Sequence, residues 1–255
     1  MITLLESAKR RSWAIPDDSS GTKTAGGLAL SPYHAGLQCQ DFDRITAIWS
    51  ALEKCTNDDP DALILYAGCG PVAPLVLPAL EKTNCRVHCV DIHAASLESA
   101  KWALAPWRDR CTFEQADLCN WQWDRPNQQP SIIVAETLNA GLLNEPQIAI
   151  WRNLFWQFPS AAWIPCGVAV KFTEGGVAIF SPSDNDPAPV DFVANENGIT
   201  IETVVEMYPG DWLSNSNSPL TQPIQISTDE TGPGVAEYFS NETPGWKLHF
   251  TGAAK

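Results

Sequence analysis

The sequence predicts an α/β protein in which a doubly wound, mostly parallel sheet is followed by an antiparallel β appendage. Apolar strand-like runs alternate with helical segments up to about residue 160, which is the pattern of parallel strands joined by crossover helices. The run at 63–67 leads into a Gly-x-Gly turn, which is typical of the ligand-binding edge of such sheets. After Pro165, short alternating runs between turn clusters favour antiparallel strands.

The segment up to about residue 160 contains strands and helices in alternation. Apolar residues from Asp41 to Leu52 recur at helical spacing. Strands are predicted at 62–67, 86–91, 111–115 and 131–135, and further helices at 74–82, 94–104 and from Pro146 onward. Pro78 is expected to kink or delay the helix that starts at Pro74, because proline lacks an N–H donor. Three tryptophans are assigned to the core: Trp151, Trp156 and Trp163.

The segment after Pro165 supplies the strands of the appendage. They are expected at 167–172, 176–180, 199–207, 223–227, 235–239 and 246–250. The chain is therefore divided into an N-terminal segment or lid at 1–40, a parallel-sheet domain at 41–165 and a β-rich domain at 166–255. We expect the last two to pack together, because no long linker separates them.

Composition and charge limit the classes of function. The chain has 255 residues, of which 44% are hydrophobic and 11 are Trp, so it can bury a substantial core. Its 30 acidic residues against 16 Lys and Arg give a formal net charge of −14. Such a charge repels phosphate backbones, and no basic stripe exists beyond residues 9–11, so we expect no nucleic-acid partner. A cationic substrate is compatible with this field.

The cysteines, the histidines and the apolar runs favour a soluble protein of a reducing compartment. Four His without metal-ligand spacing predict no metal site. No apolar run is long enough to cross a bilayer, and residues 9–11 reverse the charge order of a secretory signal, so we expect a cytoplasmic protein without a membrane partner. A homo-oligomer is left open. Eight cysteines without C-x-x-C spacing are expected to be reduced and mostly buried: Cys39, Cys55, Cys69, Cys85, Cys89, Cys111, Cys119 and Cys166.

Four residues are expected to meet at the carboxyl edge of the sheet, where open α/β sheets bind ligands. Gly68 and Gly70 follow the first strand and let backbone N–H groups approach a ligand closely. Asp91 ends the second strand roughly 20 residues on, where a ribose diol would lie. Glu136 ends a later strand at the same edge. The residues at 71–72 leave little room for a pyrophosphate, which disfavours a nicotinamide cofactor.

These segments resemble class I S-adenosylmethionine-dependent methyltransferases, which have a Rossmann-like fold. Residues 65–70 (LYAGCG) resemble their first motif, 90–92 their ribose-binding acid, and 113–117 the segment whose acid faces the adenine. Tyr66 and Val72 stand where the family usually has an acid and a third glycine. The resemblance implies S-adenosyl-L-methionine as cofactor, bound by the 41–165 domain. It implies these cofactor-binding residues: Gly68, Cys69, Gly70, Asp91, Ile92 and Asp117.

A narrower resemblance connects residues 38–166 with the protein arginine methyltransferases. Residues 136–145 (ETLNAGLLNE) are similar to their double-Glu loop, and 41–44 (DFDR) to the helix whose arginine grips the carboxylate of the methionine moiety. The resemblance implies that Glu136 and Glu145 are catalytic, that Arg44 and Glu136 contact the cofactor, and that the β-rich domain lies on the substrate side. Thr137 departs from the family's Trp, and no Thr-His-Trp loop is found.

A pair of carboxylates on one loop suits a guanidinium. The two acids repel each other unless a cation lies between them, and the planar fork of N–H donors fits carboxylates bidentately. The sequence therefore predicts an N-methyltransferase acting on a guanidine-like nitrogen of a small molecule or peptide. Positioning is expected to supply most of the catalysis, and Glu136 or Glu145 to accept the departing proton.

Structural roles compete with these interpretations. Asp91 also suits the cap of the next helix, and Arg44 on an amphipathic helix also suits a solvated position. Glu145 also suits the first turn of a helix. Three other functions are compatible with the chain: an O- or C-methyltransferase of a neutral metabolite, a non-catalytic S-adenosylmethionine-fold protein that binds a partner through its β appendage, and a nicotinamide-dependent dehydrogenase.

Overall fold

The computed structural model describes residues 21–184, 186–214, 217–240 and 242–251. The basic residues 9–11 and the first half of the expected N-terminal segment lie outside this part. The described chain begins with a short antiparallel hairpin of strands β1 (Thr22–Thr24) and β2 (Gly27–Ala29). Helix α1 (Pro32–Leu37) follows, and the Ser31 hydroxyl accepts a hydrogen bond from the His34 N–H at its start.

Five parallel strands form the central sheet, which confirms the predicted fold class. They are β3 (Leu63–Ala67), β4 (Arg86–Asp91), β5 (Cys111–Gln115), β6 (Ile132–Ala135) and β7 (Ala162–Ile164). Their order across the sheet is β5-β4-β3-β6-β7. The direction of winding reverses between β3 and β6, and ligands bind at the carboxyl ends of strands next to such a reversal. All residues of β3 and β6 are buried, as expected for strands covered on both faces.

Four further α-helices accompany the sheet: α2 (Phe42–Asp58), α3 (Leu77–Lys82), α4 (Ala94–Ala103) and α5 (Gln147–Gln157). The delay expected from Pro78 is confirmed, since a 3-10 turn at Pro74–Val76 precedes α3. Helix α2 packs against α3 and also contacts the β-rich domain. The described connection at 116–131 between β5 and β6 contains no helix. Its Trp121 and Trp123 pack instead against the buried ring of His88.

The β appendage consists of two antiparallel sheets. Its strands are β8 (Gly167–Phe172), β9 (Val177–Phe180), β10 (Val190–Ala194), β11 (Ile199–Tyr208), β12 (Asp211–Leu213), β13 (Ile224–Ile226), β14 (Gly232–Phe239) and β15 (Gly245–Phe250). One sheet has the order β12-β11-β8-β9 with β13 paired to β11, and the other has the order β10-β14-β15. The six expected strands are present. Two strands of the appendage were not predicted from the sequence: β10, whose residues alternate between buried and exposed, and the three-residue β12.

The assignment of Trp156 to the core is wrong. Trp151 is fully buried and Trp163 is buried, whereas Trp156 is 82% exposed. The helical period explains the difference, because a residue five positions after Trp151 lies on the opposite side of α5. The eight cysteines are all free, and six of them are buried, as expected.

The described part of the chain contains neither a cluster of metal-ligating side chains nor a membrane-spanning helix. No group of three or more His, Cys, Asp or Glu side chains in that part of the chain is arranged to hold a metal ion. None of the helices within the described ranges is long and apolar enough to span a bilayer.

The two faces of α5 give a first prediction. We expect Trp151→Ala to lower the free energy of unfolding by about 3–5 kcal/mol, because it leaves a large cavity against the sheet. Trp156→Ala on the exposed face is the matched control and is expected to change it by no more than about 0.5 kcal/mol. Urea unfolding at equilibrium measures both variants, and equal losses would contradict this orientation of α5.

Candidate active site

A cavity of about 980 Å³, including its open mouth, lies at the carboxyl edge of the parallel sheet beside the reversal between β3 and β6. Its walls combine the glycine turn after β3, the end of β4, the loop after β6, the start of α2 and the N-terminal hairpin. Every predicted site residue lines it: Arg44, Gly68, Cys69, Gly70, Asp91, Ile92, Asp117, Glu136 and Glu145. The size suits a ligand in the range of a nucleoside cofactor.

The glycine turn presents bare backbone to the cavity. Gly68 and Gly70 have φ angles of +71° and +61°, in the left-handed region that favours glycine. The N–H groups of Gly68 and Cys69 both donate to the carbonyl of Val90, at 2.9 and 3.2 Å. A Cβ atom at Gly68 would lie 2.7 Å from Cγ2 of Thr137, so the absence of a side chain there lets two walls of the cavity approach each other.

Asp91 is buried at the end of β4 and is held by backbone donors. One carboxylate oxygen accepts the N–H of Gly70 at 2.9 Å, and the other accepts the N–H of His93 at 2.9 Å. His93 is the N-cap residue of α4, so the competing interpretation of Asp91 as that cap is wrong. Oδ1 also lies 3.4 Å from Nδ1 of His93, whereas Oδ2 keeps a further lone pair for a donor in the cavity. Asp117 lies across from it and accepts the N–H groups of Cys119 at 2.9 Å and Ala25 at 3.4 Å.

Arg44 is buried at the start of α2, so the alternative of a solvated arginine is wrong. Its Nη1 donates to Oε1 of Glu136 at 3.3 Å, and its Nη2 donates to the carbonyl and Oε1 of Gln38 at 3.2 and 2.9 Å. Its Nε lies 3.6 Å from Oδ2 of Asp41 and has no hydrogen-bond partner among the described residues. Asp41 also caps α2 and accepts the Ser218 hydroxyl of the β appendage at 2.5 Å.

The two glutamates differ in their partners. Burial raises the pKa of Glu136, and the adjacent Arg44 guanidinium opposes this by stabilising the carboxylate. Glu145 is half-buried, and no residue in the described ranges donates a hydrogen bond to its carboxyl group. Burial, reinforced by the negative charge of Glu136, raises the pKa of Glu145 to about 8. Glu145 therefore holds a proton at neutral pH. Among the described residues, the only guanidinium that forms an ion pair with either glutamate is that of Arg44, and its partner is Glu136.

The loop between the glutamates is held by the β appendage. The N–H of Gly141 donates to Oγ1 of Thr203 at 2.6 Å, and the indole N–H of Trp246 donates to the carbonyl of Gly141 at 2.8 Å. The Tyr238 hydroxyl donates to the carbonyl of Leu142 at 3.0 Å. Leu142 and Asn144 have φ angles of 56° and 64°, a strained region for residues other than glycine. The appendage thus stabilises a loop conformation that the sequence alone disfavours.

The described part of the expected N-terminal lid bridges the two sides of the cavity. Oγ1 of Thr22 lies 3.0 Å from Nε2 of His93 beside the glycine turn. The N–H of Leu28 donates to the carbonyl of Asn144 at 2.6 Å, next to Glu145. The hairpin therefore touches both the Asp91 side and the double-glutamate side. The division of the chain at residues 40 and 165 stays a prediction.

Comparisons with known proteins identify the fold. No protein-family model matches the sequence, and no curated protein does so. A chain of the Trypanosoma brucei PRMT1 enzyme–prozyme heterotetrameric complex with AdoHcy is similar at 13% identity and a TM-score of 0.56, over 86% of this chain and 93% of that one. Arabidopsis thaliana protein arginine methyltransferase 10, in an open conformation, is similar at 10% identity and a TM-score of 0.55, over 86% and 98%.

The chain shares their fold. The alignments cover more of the chain than residues 41–165, so the likeness includes much of the β appendage as well as the parallel sheet. The sequence resemblance had connected only residues 38–166 with this group. At identities of 13% and 10%, the likeness shows a shared architecture alone.

The raised pKa of Glu145 gives a second prediction. In the unfolded chain the carboxyl group of Glu145 ionises near its ordinary pKa, whereas in the folded protein it retains its proton up to about pH 8. The free energy of unfolding therefore falls as the pH rises between these two values. Glu145→Gln removes the penalty. We expect the variant to match the parent below about pH 4 and to be more stable by on the order of 4 kcal/mol at pH 8.

The measurement is the free energy of unfolding of the ligand-free protein as a function of pH. Glu196→Gln, in the exposed turn between β10 and β11, is the control and is expected to produce a difference from the parent that does not depend on pH. A pH-independent effect of Glu145→Gln would show that its carboxyl group ionises normally in the folded protein.

Proposed function

We propose that the protein is an S-adenosylmethionine-dependent N-methyltransferase that acts on a guanidine-like cationic nitrogen of a small molecule or peptide. The observation that carries the proposal is that, within the described ranges, two carboxyl groups at the cavity have a single guanidinium between them. Two glutamates line the cavity, and among the described residues only Glu136 has a cationic partner. A half-buried carboxyl group that no residue of the described ranges pairs with can bind an arriving cation, which displaces its proton.

The residues of the cavity fit the proposed cofactor. Arg44 lines the cavity, and a guanidinium there suits a carboxylate such as that of the methionine moiety. The open lone pair on Oδ2 of Asp91 suits a hydroxyl donor of a ribose diol, and the glycine turn leaves room for a ligand close to the backbone. When bound, S-adenosylmethionine supplies an electrophilic methyl group on a sulfonium. The fold shared with chains named as arginine methyltransferases supports this choice.

The glutamates would orient the acceptor. Glu136, held by Arg44, offers one carboxylate, and Glu145 offers the other once its proton is displaced by a guanidinium. Two carboxylates can bind the planar fork on different sides and fix its remaining nitrogen in the cavity. The carboxylate of Glu145 can then take up the proton that the nitrogen loses, because its affinity for protons is high in this environment. The catalysis is expected to come from positioning and charge.

The third prediction concerns Glu136. With isotopically labelled S-adenosylmethionine, we expect label to be transferred to arginine, guanidino compounds or short arginine peptides. Glu136→Gln is expected to lower turnover at least about 100-fold, because it removes the ionised partner of the acceptor. Glu196→Gln, at an exposed position that does not line the cavity, is expected to leave turnover unchanged. Binding of S-adenosylhomocysteine, followed by thermal shift, checks that the variant still has a folded cofactor site.

The other functions make different predictions in the same assay. A methyltransferase of neutral metabolites would label uncharged acceptors and retain most of its activity in Glu136→Gln. A non-catalytic binding protein would be stabilised by S-adenosylmethionine without transferring label to any acceptor. A dehydrogenase would be stabilised by NAD instead. Each of these results would contradict the proposed function.

A further inference from the structure

Gln147, the first residue of α5, makes three short hydrogen bonds from a fully buried side chain. Its Nε2 donates to the carbonyl of Ala135 at 2.7 Å. Its Oε1 accepts the backbone N–H of Thr137 at 2.7 Å and the Thr137 hydroxyl at 2.8 Å. Since an amide oxygen has two lone pairs, this oxygen is fully occupied. Contacts of both the oxygen and the nitrogen fix the orientation of the amide.

The partners of Gln147 lie on both sides of the first glutamate. Ala135 directly precedes Glu136 and Thr137 directly follows it, so the amide holds the backbone around Glu136 from both directions. Gln147 itself comes two residues after Glu145. A single side chain therefore connects the beginning and the end of the loop that carries both acids, while the appendage holds the middle of that loop.

Gln147 does not belong to the group of residues that line the cavity. It is buried below the loop, so it cannot touch a bound acceptor directly. Its loss would take this partner from the buried carbonyl of Ala135 and from the half-buried N–H of Thr137. A buried group left unpaired costs roughly 1–3 kcal/mol, which favours a rearrangement of the loop. Any effect of Gln147 on catalysis would thus pass through the placement of Glu136 and Glu145.

We propose that Gln147 is a positioning residue that sets the separation and orientation of Glu136 and Glu145. The inference rests on the proposed function, since it takes these acids to be the acceptor site. The residue acts through the backbone that it holds at Ala135 and Thr137. Leucine fills a similar volume without any hydrogen bond, and Gln147→Leu therefore removes the connection with a small change in packing.

The fourth prediction uses a matched pair of variants. Gln157 lies on the same helix and also makes amide contacts with backbone groups, at Trp121 and Trp123, but it is remote from the cavity lining. We expect Gln147→Leu to lower kcat for a guanidine acceptor at least tenfold, with the affinity for S-adenosylhomocysteine changed less than threefold. Gln157→Leu is expected to change kcat less than threefold. Equal losses of kcat in the two variants would overturn the inference.

A second variant tests the hydrogen bonds themselves. In Gln147→Glu, a protonated carboxyl group can donate to Ala135 and accept from Thr137 as the amide does, whereas the ionised form cannot donate. We expect the ratio of variant to parent activity to rise severalfold as the pH falls from about 8 to about 6, because protonation restores the connection. A ratio that stays constant over this range would contradict a positioning role for the amide.

A measurement without turnover separates this inference from the proposed function. If the parent methylates no guanidine compound, the proposed function is contradicted. The role of Gln147 can still be tested in that case, because the pKa of Glu145 depends on the conformation of the loop. Carbon-13 NMR of the side-chain carboxyls in the ligand-free protein follows that ionisation. In Gln147→Leu we expect the pKa of Glu145 to fall from about 8 by at least about one unit, as the loop opens to water. An unchanged pKa would overturn the inference.

Discussion

Two carboxyl groups and one guanidinium are withdrawn from water at the same cavity, and the surrounding elements hold them there. Burying an ion costs several kcal/mol unless a partner compensates for the lost hydration. Arg44 compensates for Glu136, and burial keeps Glu145 protonated at neutral pH. In the ligand-free protein, burial therefore disfavours the ionised form of both glutamates. A bound cation would stabilise their ionised forms, and for this reason a cationic substrate is proposed.

The architecture divides this task between its two β regions. The parallel sheet places Glu136 at a strand end beside the glycine turn and the end of β4, as the reversal of strand order predicts. The β appendage holds the loop between the glutamates through Thr203, Tyr238 and Trp246. The appendage also contacts a neighbour of Arg44, because the Ser218 hydroxyl donates a hydrogen bond to Asp41, which lies beside the arginine. The appendage therefore has a structural part in the candidate site without supplying either acid.

The edge of the sheet could be predicted from sequence because strand ends and glycine turns are local signals. Asp91 and Glu136 follow apolar runs, and the topology of parallel strands brings such residues together. The contacts of Thr203 and Trp246 depend on how the appendage packs, which no local pattern encodes. Gln147 is a polar residue at a helix start, and only tertiary structure reveals its buried contacts. The exposure of Trp156 could have been predicted from the sequence, since the helical period places this residue on the side of α5 opposite Trp151.

The most direct test of a cation site with a protonated glutamate is the proton balance of ligand binding. Calorimetric titration of L-arginine into the protein loaded with S-adenosylhomocysteine, near pH 7 and in buffers of different ionisation enthalpy, measures that balance. The guanidinium should displace the proton of Glu145, so release of about one proton per arginine bound is predicted. Citrulline, which has the same shape without the charge, should bind weakly. Arginine binding without proton release, or citrulline binding equally well, would contradict the proposed site.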